Sequence, residues 1–437
     1  MTVRLAHVSD THLGYEAYPT LSPAGNNQRG EDVVRSWRRT VDEVVAADPA
    51  LVIHSGDLAD RPLVSTRYML EARRGLAALA GRRPDGTRRQ VVVIAGNHDA
   101  PRDRKEPAWL ELFASMPGLH VVTRGPQVVT FDDPDVPAEL ADVVVTAVPH
   151  DSLKLLELTD LPRPVDRAVN ILTCHGVAEG SALYVRAVGR EFPVPVDLLA
   201  AGWDYVALGH WHRQGPVPIG FGDPEASVAW YAGSTETIGF GDLRGDRVDA
   251  RGWLDVTLDG AARPHVVARE HQVRSMVRLP ALDVATLTPE EITDRLAQIA
   301  ASADIEAAVV VQPVTGVRRD LWVLVDLPTV RRAAADALHY ELSVRHKEEA
   351  DPDRPAPQSR EQSLTAALTE VVERTVPADQ RAEVIALARD LLHRSLGGER
   401  LPDDPAVASA TTSDPPGPAP GDEESPASSE PSETVPS

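Results

Sequence analysis

Only one cysteine, Cys174, occurs in 437 residues, so the chain has no partner thiol for an internal disulfide. Set in "NILTCHG", it reads as a small core residue rather than a nucleophile. Long apolar runs are missing too. None approaches the ~20 residues needed to cross a bilayer, and the sequence enters "RLAHVSD" without a basic and apolar leader, which points to the cytoplasm. Aromatic residues make up 4% of the chain, so a core must come mostly from the Val, Leu and Ala within the 42% hydrophobic content. Lysine is nearly absent, with Lys105, Lys154 and Lys347 set against 41 arginines, a ratio that speaks of coding bias and not of phosphate recognition. The formal net charge of −22 excludes a broadly basic, histone-like DNA binder. It does not exclude a nuclease, because bound divalent cations offset negative charge at a site. Eight acidic residues and no basic one lie between Pro402 and Ser437, which leaves about −14 on the rest.

What the sequence does contain is a series of short Val/Ile/Leu runs: "RLAHVS", "ALVIHS", "QVVVIA", "DVVVTAV", "AVNILTC" and "DYVALG". They alternate with helical patterns and with Gly-, Pro- and Asp-rich loops, the arrangement of a mixed α/β domain over residues 1–267. The runs are too apolar for strands with one wet face, so they read as central strands covered on both sides. Val33, Val34, Trp37, Val41, Val44 and Val45 recur at helical spacing. A smaller α/β unit is expected at 268–347. There "TPEE" starts a helix with Thr288 as N-cap, "EAAVVVQPV" and "DLWVLVDL" read as strands, and "TVRRAAADALHYEL" reads as a helix. Residues 348–358 form a Pro-rich linker, 359–398 a helical hairpin with apolar faces that need a docking surface, and 399–437 an acidic, Pro/Ser-rich tail expected to be disordered.

Five of the apolar runs empty into polar clusters: "SDTH" (Asp10, His12), "SGD" (Asp57), "GNHD" (Asn97, His98, Asp99), "CHG" (His175) and "GHWH" (His210, His212). Buried strands that release carboxylate, imidazole and amide groups at one sheet edge are how open α/β proteins build a site. Asp10, His12, Asp57, Asn97, His175, His210 and His212 make a mixed oxygen and nitrogen set. Such a set suits manganese, iron or zinc, and is too rich in imidazole for calcium or magnesium. Two ions can share it, with Asp57 as the bridging carboxylate, since Gly56 lets the backbone turn sharply. His98 is left over, with Asp99 beside it to hold its ring in one tautomer. His7, His54, His120 and His150, in or near strands, read as packed and hydrogen-bonded.

These motifs, in this order and spacing over the first ~265 residues, resemble the signature series of the calcineurin-like metallophosphoesterase superfamily. The resemblance implies a two-sheet α/β sandwich flanked by helices around a dinuclear centre. It assigns Asp10, His12, Asp57 and His212 to one ion, and Asp57, Asn97, His175 and His210 to the other. It makes His98 the group that donates to the scissile phosphate or its leaving oxygen. "DTHLGYE", "NQRGEDVVRSWRRTVDEV", "DYVALGHWHRQ" and "WYAGSTETIGFGD" are most similar to the SbcD-type nuclease subunits of DNA repair. On that likeness 268–347 is a capping domain, and 359–396 docks on the coiled-coil root of an SbcC-type ATPase. A homodimer through the helices at 33–45 and 66–80 is also implied, with a monomer that buries those faces in its own core as the alternative. "GDLADR" is similar to a phosphate-gripping motif of protein phosphatases, which makes Arg61 a secondary candidate. The loop "AYPTLSPAGNNQ" is longer than usual for these nucleases.

The expected reaction is hydrolysis of DNA phosphodiesters, by an exonuclease with a possible endonuclease activity, supported by two divalent ions, foremost manganese, with zinc, iron or magnesium as substitutes. A phosphodiesterase for cyclic nucleotides or other small diesters is the alternative. A non-catalytic scaffold is disfavoured, since such adaptors lose ligands and all seven stand here.

Overall fold

Strands without a polar face need cover on both sides, and the architecture supplies it. The computed structural model describes residues 2–346, except 102, 104, 154–161, 163, 167–168, 180–191, 218–226, 244 and 261–262, and beyond them only 381, 384 and 385. The chain lays down β1 (Val3–Val8), β2 (Leu51–His54), β3 (Gln90–Ile94) and β4 (Leu119–Val122), then β5 (Gln127–Val129), β6 (Val143–Val148) and β7 (Val169–His175). Strands β8 (Val177–Ala178) and β9 (Pro193–Val194) form a separate pair, followed by β10 (Tyr205–Gly209), β11 (Gly215–Pro216) and β12 (Ala229–Tyr231). A long hairpin, β13 (Arg247–Leu258) and β14 (His265–Arg278), leads to β15 (Leu282–Asp283), β16 (Val309–Val317) and β17 (His339–His346). One sheet has nine strands in the order β15-β16-β14-β13-β1-β2-β3-β4 with β17 on β16, and the other has six in the order β11-β12-β10-β7-β6-β5.

Successive side chains of a strand point to opposite faces, and here each face meets a different core. Val91 and Val93 of β3 join a cluster with Val33, Trp37, Val41 and Leu76 from α1 (Gln28–Ala47) and α2 (Thr66–Leu79). Val92 and Ile94 face the second sheet and pack with Val145, Ala147, Ile171 and Ala207. The outer face of that sheet carries Leu172, Cys174, Val206 and Leu208 against Leu198, Leu199 and Trp203. Helices, sheet and second sheet therefore stack in layers, and both faces of β3 are covered. Cys174 is fully buried in this packing. Helix α1 starts where Asn27 accepts hydrogen bonds from the Arg29 and Gly30 amides. No helix among the described residues is long and apolar enough to cross a membrane.

The hairpin β13–β14 belongs to the nine-stranded sheet through β1, and its far end pairs in parallel with β16 at Met276–Arg278. Strand β14 runs through the expected boundary at 267/268 without a break. The helix expected from "TPEE" spans Pro289–Ser302, with Thr288 and Glu291 bonded reciprocally. Two expectations in this region are corrected. "DLWVLVDL" is not a strand: Arg319–Trp322 is a helical turn, and Val323 and Leu324 are exposed. The helix in "TVRRAAADALHYEL" ends at Ala333, and His339–His346 is a strand. Pairing β17 in parallel along β16 satisfies an edge that would otherwise stay open, which outweighs the helical propensity of the Ala-rich stretch. The linker at 348–358 and the tail at 399–437 lie outside the described residues, as does the hairpin at 359–398 apart from 381, 384 and 385.

Helices α1 and α2 meet where Trp37 lies on Gly75. A Cβ at Gly75 would fall 2.4 Å from the indole Nε1. Trp37 is fully buried, with Nε1 donating to the Glu71 carbonyl at 3.2 Å, so it has little room to yield. Gly-to-Ala in a helix ordinarily gains about 0.5–1 kcal/mol, whereas overpacking costs about 1–3 kcal/mol. The clash should win: Gly75→Ala is expected to lower stability by about 1–2 kcal/mol in urea unfolding, and a more stable variant would show that the contact is loose.

Candidate metal centre

Strands β1, β2 and β3 run parallel in one sheet, β7 and β10 run parallel in the other, and the polar clusters follow their C-terminal ends. Asp10 and His12 leave β1, Asp57 leaves β2, Asn97 leaves β3, His175 ends β7, and His210 and His212 leave β10. Asp10 (φ 51°), His12 (53°), Asp57 (55°) and His210 (96°) adopt left-handed backbone. Such conformations cost about 1–3 kcal/mol each and persist where the surroundings over-determine them. Here the loops after β1 and β2 are tied together, the Asp10 amide donating to Gly56 O at 3.0 Å and His12 to Asp57 O at 3.0 Å. Gly56 (φ 95°) serves twice, since a Cβ there would also sit 2.4 Å from His175 Nδ1. Gly96 acts through space alone: its Cβ would lie 2.1 Å from Asp57 Oδ1.

All seven side chains converge. His12 Nε2 lies 3.1 Å from His212 Nε2. Asp10 Oδ1 is 3.9 Å from the same His212 nitrogen. Asn97 Oδ1 is 3.0 Å from His175 Nε2 and 3.1 Å from His210 Nδ1. Asp57 Oδ2 stands 3.2 Å from His175 Nε2 and 3.8 Å from His12 Nε2, so one carboxylate oxygen faces both halves. Asp10 also accepts from the His210 amide, with its two oxygens at 3.1 and 3.0 Å. Candidate ligand atoms group as Asp10, His12 and His212, as Asp10, Asp57 and His175, and as His12, Asp60 and His98.

The donor set fits divalent transition ions. The facing Nε2 atoms of His12 and His212 are matched either by an N–H on one donating to the other or by a cation that both lone pairs approach. His12 Nδ1 is buried without a hydrogen bond. The electrostatics ask for positive charge: burial opposes ionisation of Asp57, yet His175, His12 and His98 hold its carboxyl well below the usual range. Burial equally opposes charge on His175, but Asp57 and Asp10 outweigh it and push the imidazole up to about 9. His212 is raised as well, burial being outweighed by Asp242.

His98 and Asp99 do not form the expected pair. The His98 ring Nδ1 lies 2.6 Å from the carbonyl of Asp60, and its amide donates to Asp57 Oδ1 at 2.8 Å. Asp99 is fully buried and accepts from the amides of Ala59 (2.9 Å), Gly96 (3.1 Å) and Leu58 (3.2 Å). The turn after Gly96 sends the two neighbours in different directions, so Asp99 braces the loops and Asp60 holds the ring. Burial and the nearby Asp57 push the Asp99 carboxyl up to about 6. Arg61 sits at the rim, half exposed and paired with Asp60 at 3.3 Å. His7, His54, His120 and His150 are packed, hydrogen-bonded residues as expected, His7 joining Tyr205 and Ser55 at 2.9 Å each. Sequence reasoning missed Asp60 and Asp242. Both reach the site by tertiary contact and carry no local signal beyond lying in quoted motifs.

Were His175 to ligate a metal, its proton would have to leave first, so binding would release protons. Because that imidazole sits near 9, apparent affinity for manganese should rise from pH 7 to about 9 and level off above. Calorimetric titration across that range checks this, and a flat profile would remove His175 from the ligand set.

Residues 3–214 match the family of calcineurin-like phosphoesterases. The chain is 24% identical over 263 residues to the DNA double-strand break repair protein Mre11 of Methanococcus maripaludis, covering 59% of this chain and 64% of that one. It is 28% identical over 318 residues to the protein of the same name from Haloferax volcanii, covering 72% and 61%. A third, from Thermoplasma acidophilum, is 27% identical over 276 residues, covering 62% and 67%. The chain thus spans less than two thirds of the length of the first two relatives. The stretch that matches the calcineurin-like phosphoesterases, residues 3–214, holds all seven converging side chains.

Proposed function

We propose that this protein is a metal-dependent nuclease that hydrolyses DNA phosphodiester bonds in repair. The observation that carries the reading is the convergence of seven oxygen and nitrogen donors from five strand ends, in a chain similar to several Mre11 proteins. Asp10, His12, Asp57 and His212 would hold one divalent ion, and Asp57, Asn97, His175 and His210 a second, with manganese the foremost candidate for a set that mixes carboxylate and amide oxygens with imidazole, and zinc or iron the alternatives. Bound there, such ions supply Lewis acidity toward phosphoryl oxygens and lower the pKa of water toward neutrality.

The chain's own residues do the rest. Asp57 faces both halves and keeps its negative charge, which fixes the spacing of whatever cations bind. His98 donates Nδ1–H to the Asp60 carbonyl, and that sets its tautomer. Its Nε2 is then left for the substrate, where a protonated ring donates to the departing sugar oxygen, a general-acid role worth about 10²–10⁴ in rate. The capping role of 268–347 and the docking of 359–398 on an SbcC-type ATPase belong to the same reading. A homodimer through α1 and α2 would have to use their outer faces, because Val33, Val34, Trp37, Val41 and Val44 are buried in this chain's own core.

Purified protein with manganese is expected to degrade end-labelled DNA, single- or double-stranded, and to leave cyclic nucleotides untouched in parallel reactions. His98→Ala should lose about 10²–10⁴-fold in kcat with metal content unchanged. Cleavage of the cyclic nucleotide but not of DNA would replace the nuclease by a small-substrate phosphodiesterase.

A further inference from the structure

The loop from Ser234 to Leu243 lies against the metal centre and ends in a carboxylate that the reading above does not use. Asp242 is 8% exposed and places Oδ1 3.1 Å from His212 Nδ1. With Nδ1–H donated to that oxygen, the other ring nitrogen keeps its lone pair, and this is the atom 3.1 Å from His12 Nε2 and 3.9 Å from Asp10 Oδ1. The neighbouring imidazoles are held differently. His175 and His98 turn Nδ1 to the carbonyls of Ser55 (2.7 Å) and Asp60 (2.6 Å), and His12 Nδ1 has only Asp60 Oδ1 at 3.5 Å. A carboxylate at hydrogen-bond distance on Nδ1 is found at His212 alone among these four.

Asp242 is itself pinned. Its Oδ2 accepts from the amides of Ile238 (2.9 Å) and Gly239 (3.3 Å), while Arg251 donates to its main-chain carbonyl at 3.2 Å and to that of His212 at 3.1 Å. The turn that carries it is seated on the accessory region. Arg278 donates to Phe240 O at 3.2 Å, and Phe240 packs with Met276, Val309 and Leu338. The other end of the loop is anchored by Glu236, buried and bonded to Ser36 Oγ (2.7 Å) and Arg29 (3.3 Å).

We infer that Asp242 is a positioning residue of the metal centre, fixing the tautomer and ring orientation of His212, and that residues 276–338 set its place through Phe240. The inference rests on the reading of His212 as a metal ligand. Removing an outer partner of a metal-binding imidazole ordinarily costs about 10–100-fold in affinity.

The test is titration of the full chain with manganese, followed by calorimetry and by the electron paramagnetic resonance of the bound ions. Wild type should take two ions whose signals are coupled. In Asp242→Ala one of the two affinities should fall about 10–100-fold while the other holds, so that an uncoupled signal of a single ion appears at intermediate manganese. Phe240→Ala, which keeps the carboxylate, should weaken the same ion by less. If Asp242→Ala fails to fold, Asp242→Asn, of the same shape, decides by the same two readouts. Two unchanged affinities in the Asp242 variant that folds would overturn this role alone. An unchanged Phe240→Ala would overturn the link to residues 276–338. Wild type that binds no manganese would overturn the metal centre itself and this role with it.

Discussion

The two sheets are held together at the floor of the site by a polar seam, and the rest of the architecture depends on it. His7 of β1 bridges Tyr205 on the opposite sheet and Ser55, and Ser55 Oγ reaches Thr173 Oγ1 at 3.1 Å. His175 gives one ring nitrogen to Ser55 O and sets the other 3.2 Å from Asp57. These groups are nearly sealed from water, Asp57 at 2% exposure and His175 at 0%. A buried charged group stripped of its partner typically costs about 3–5 kcal/mol, so neither sheet can slide without leaving one uncompensated. The seam fixes how the ends of β2 and β7 face each other, and with them the spacing of every donor in the cleft.

Much of this was legible because burial leaves few places for polarity. A run such as "VVVIA" has both faces committed, one to α1 and α2 and one to the second sheet, so Asn97 and His98 had to emerge at its end. The same logic located Asp10, Asp57, His175, His210 and His212. It failed where adjacency stood in for geometry: Asp99 follows His98 in the chain, but a turn points consecutive side chains apart, and the ring found the Asp60 carbonyl instead. It failed again after residue 318. Apolar content in "DLWVLVDL" suggested a strand and alanine content in the next stretch a helix, while the deciding factor was the open edge of β16, which only the fold reveals. Asp242 was invisible for the same reason, since 30 residues separate it from His212.

Charge is distributed by the same economy of space. A single buried carboxylate, Asp32, gathers Arg29, Arg35 and Arg274, joining the start of α1 to strand β14. Burial works against that carboxyl's ionisation, but the arginines, Arg274 foremost, hold it below the ordinary range. In a chain of net charge −22, these three arginines serve internal pairing. What the cleft presents is then a cluster of carboxylates and imidazoles, which would attract an anion only once cations had bound.

The hairpin β13–β14 has a further consequence, for mechanics and for inheritance. Fourteen residues of β14 extend about 45 Å at the usual rise per residue, paired with β13 over most of that length and interrupted by one irregularity between Val248 and Ala250. Such a ribbon would act as a stiff beam clamped against β1 at one end, with a single soft point near the other. A load on residues 276–338 would arrive at the cleft with little lost to bending. A cut at 267/268 would sever the beam and bare its hydrogen-bonding edge, so the accessory region is poorly suited to exchange between genes as an independent cassette.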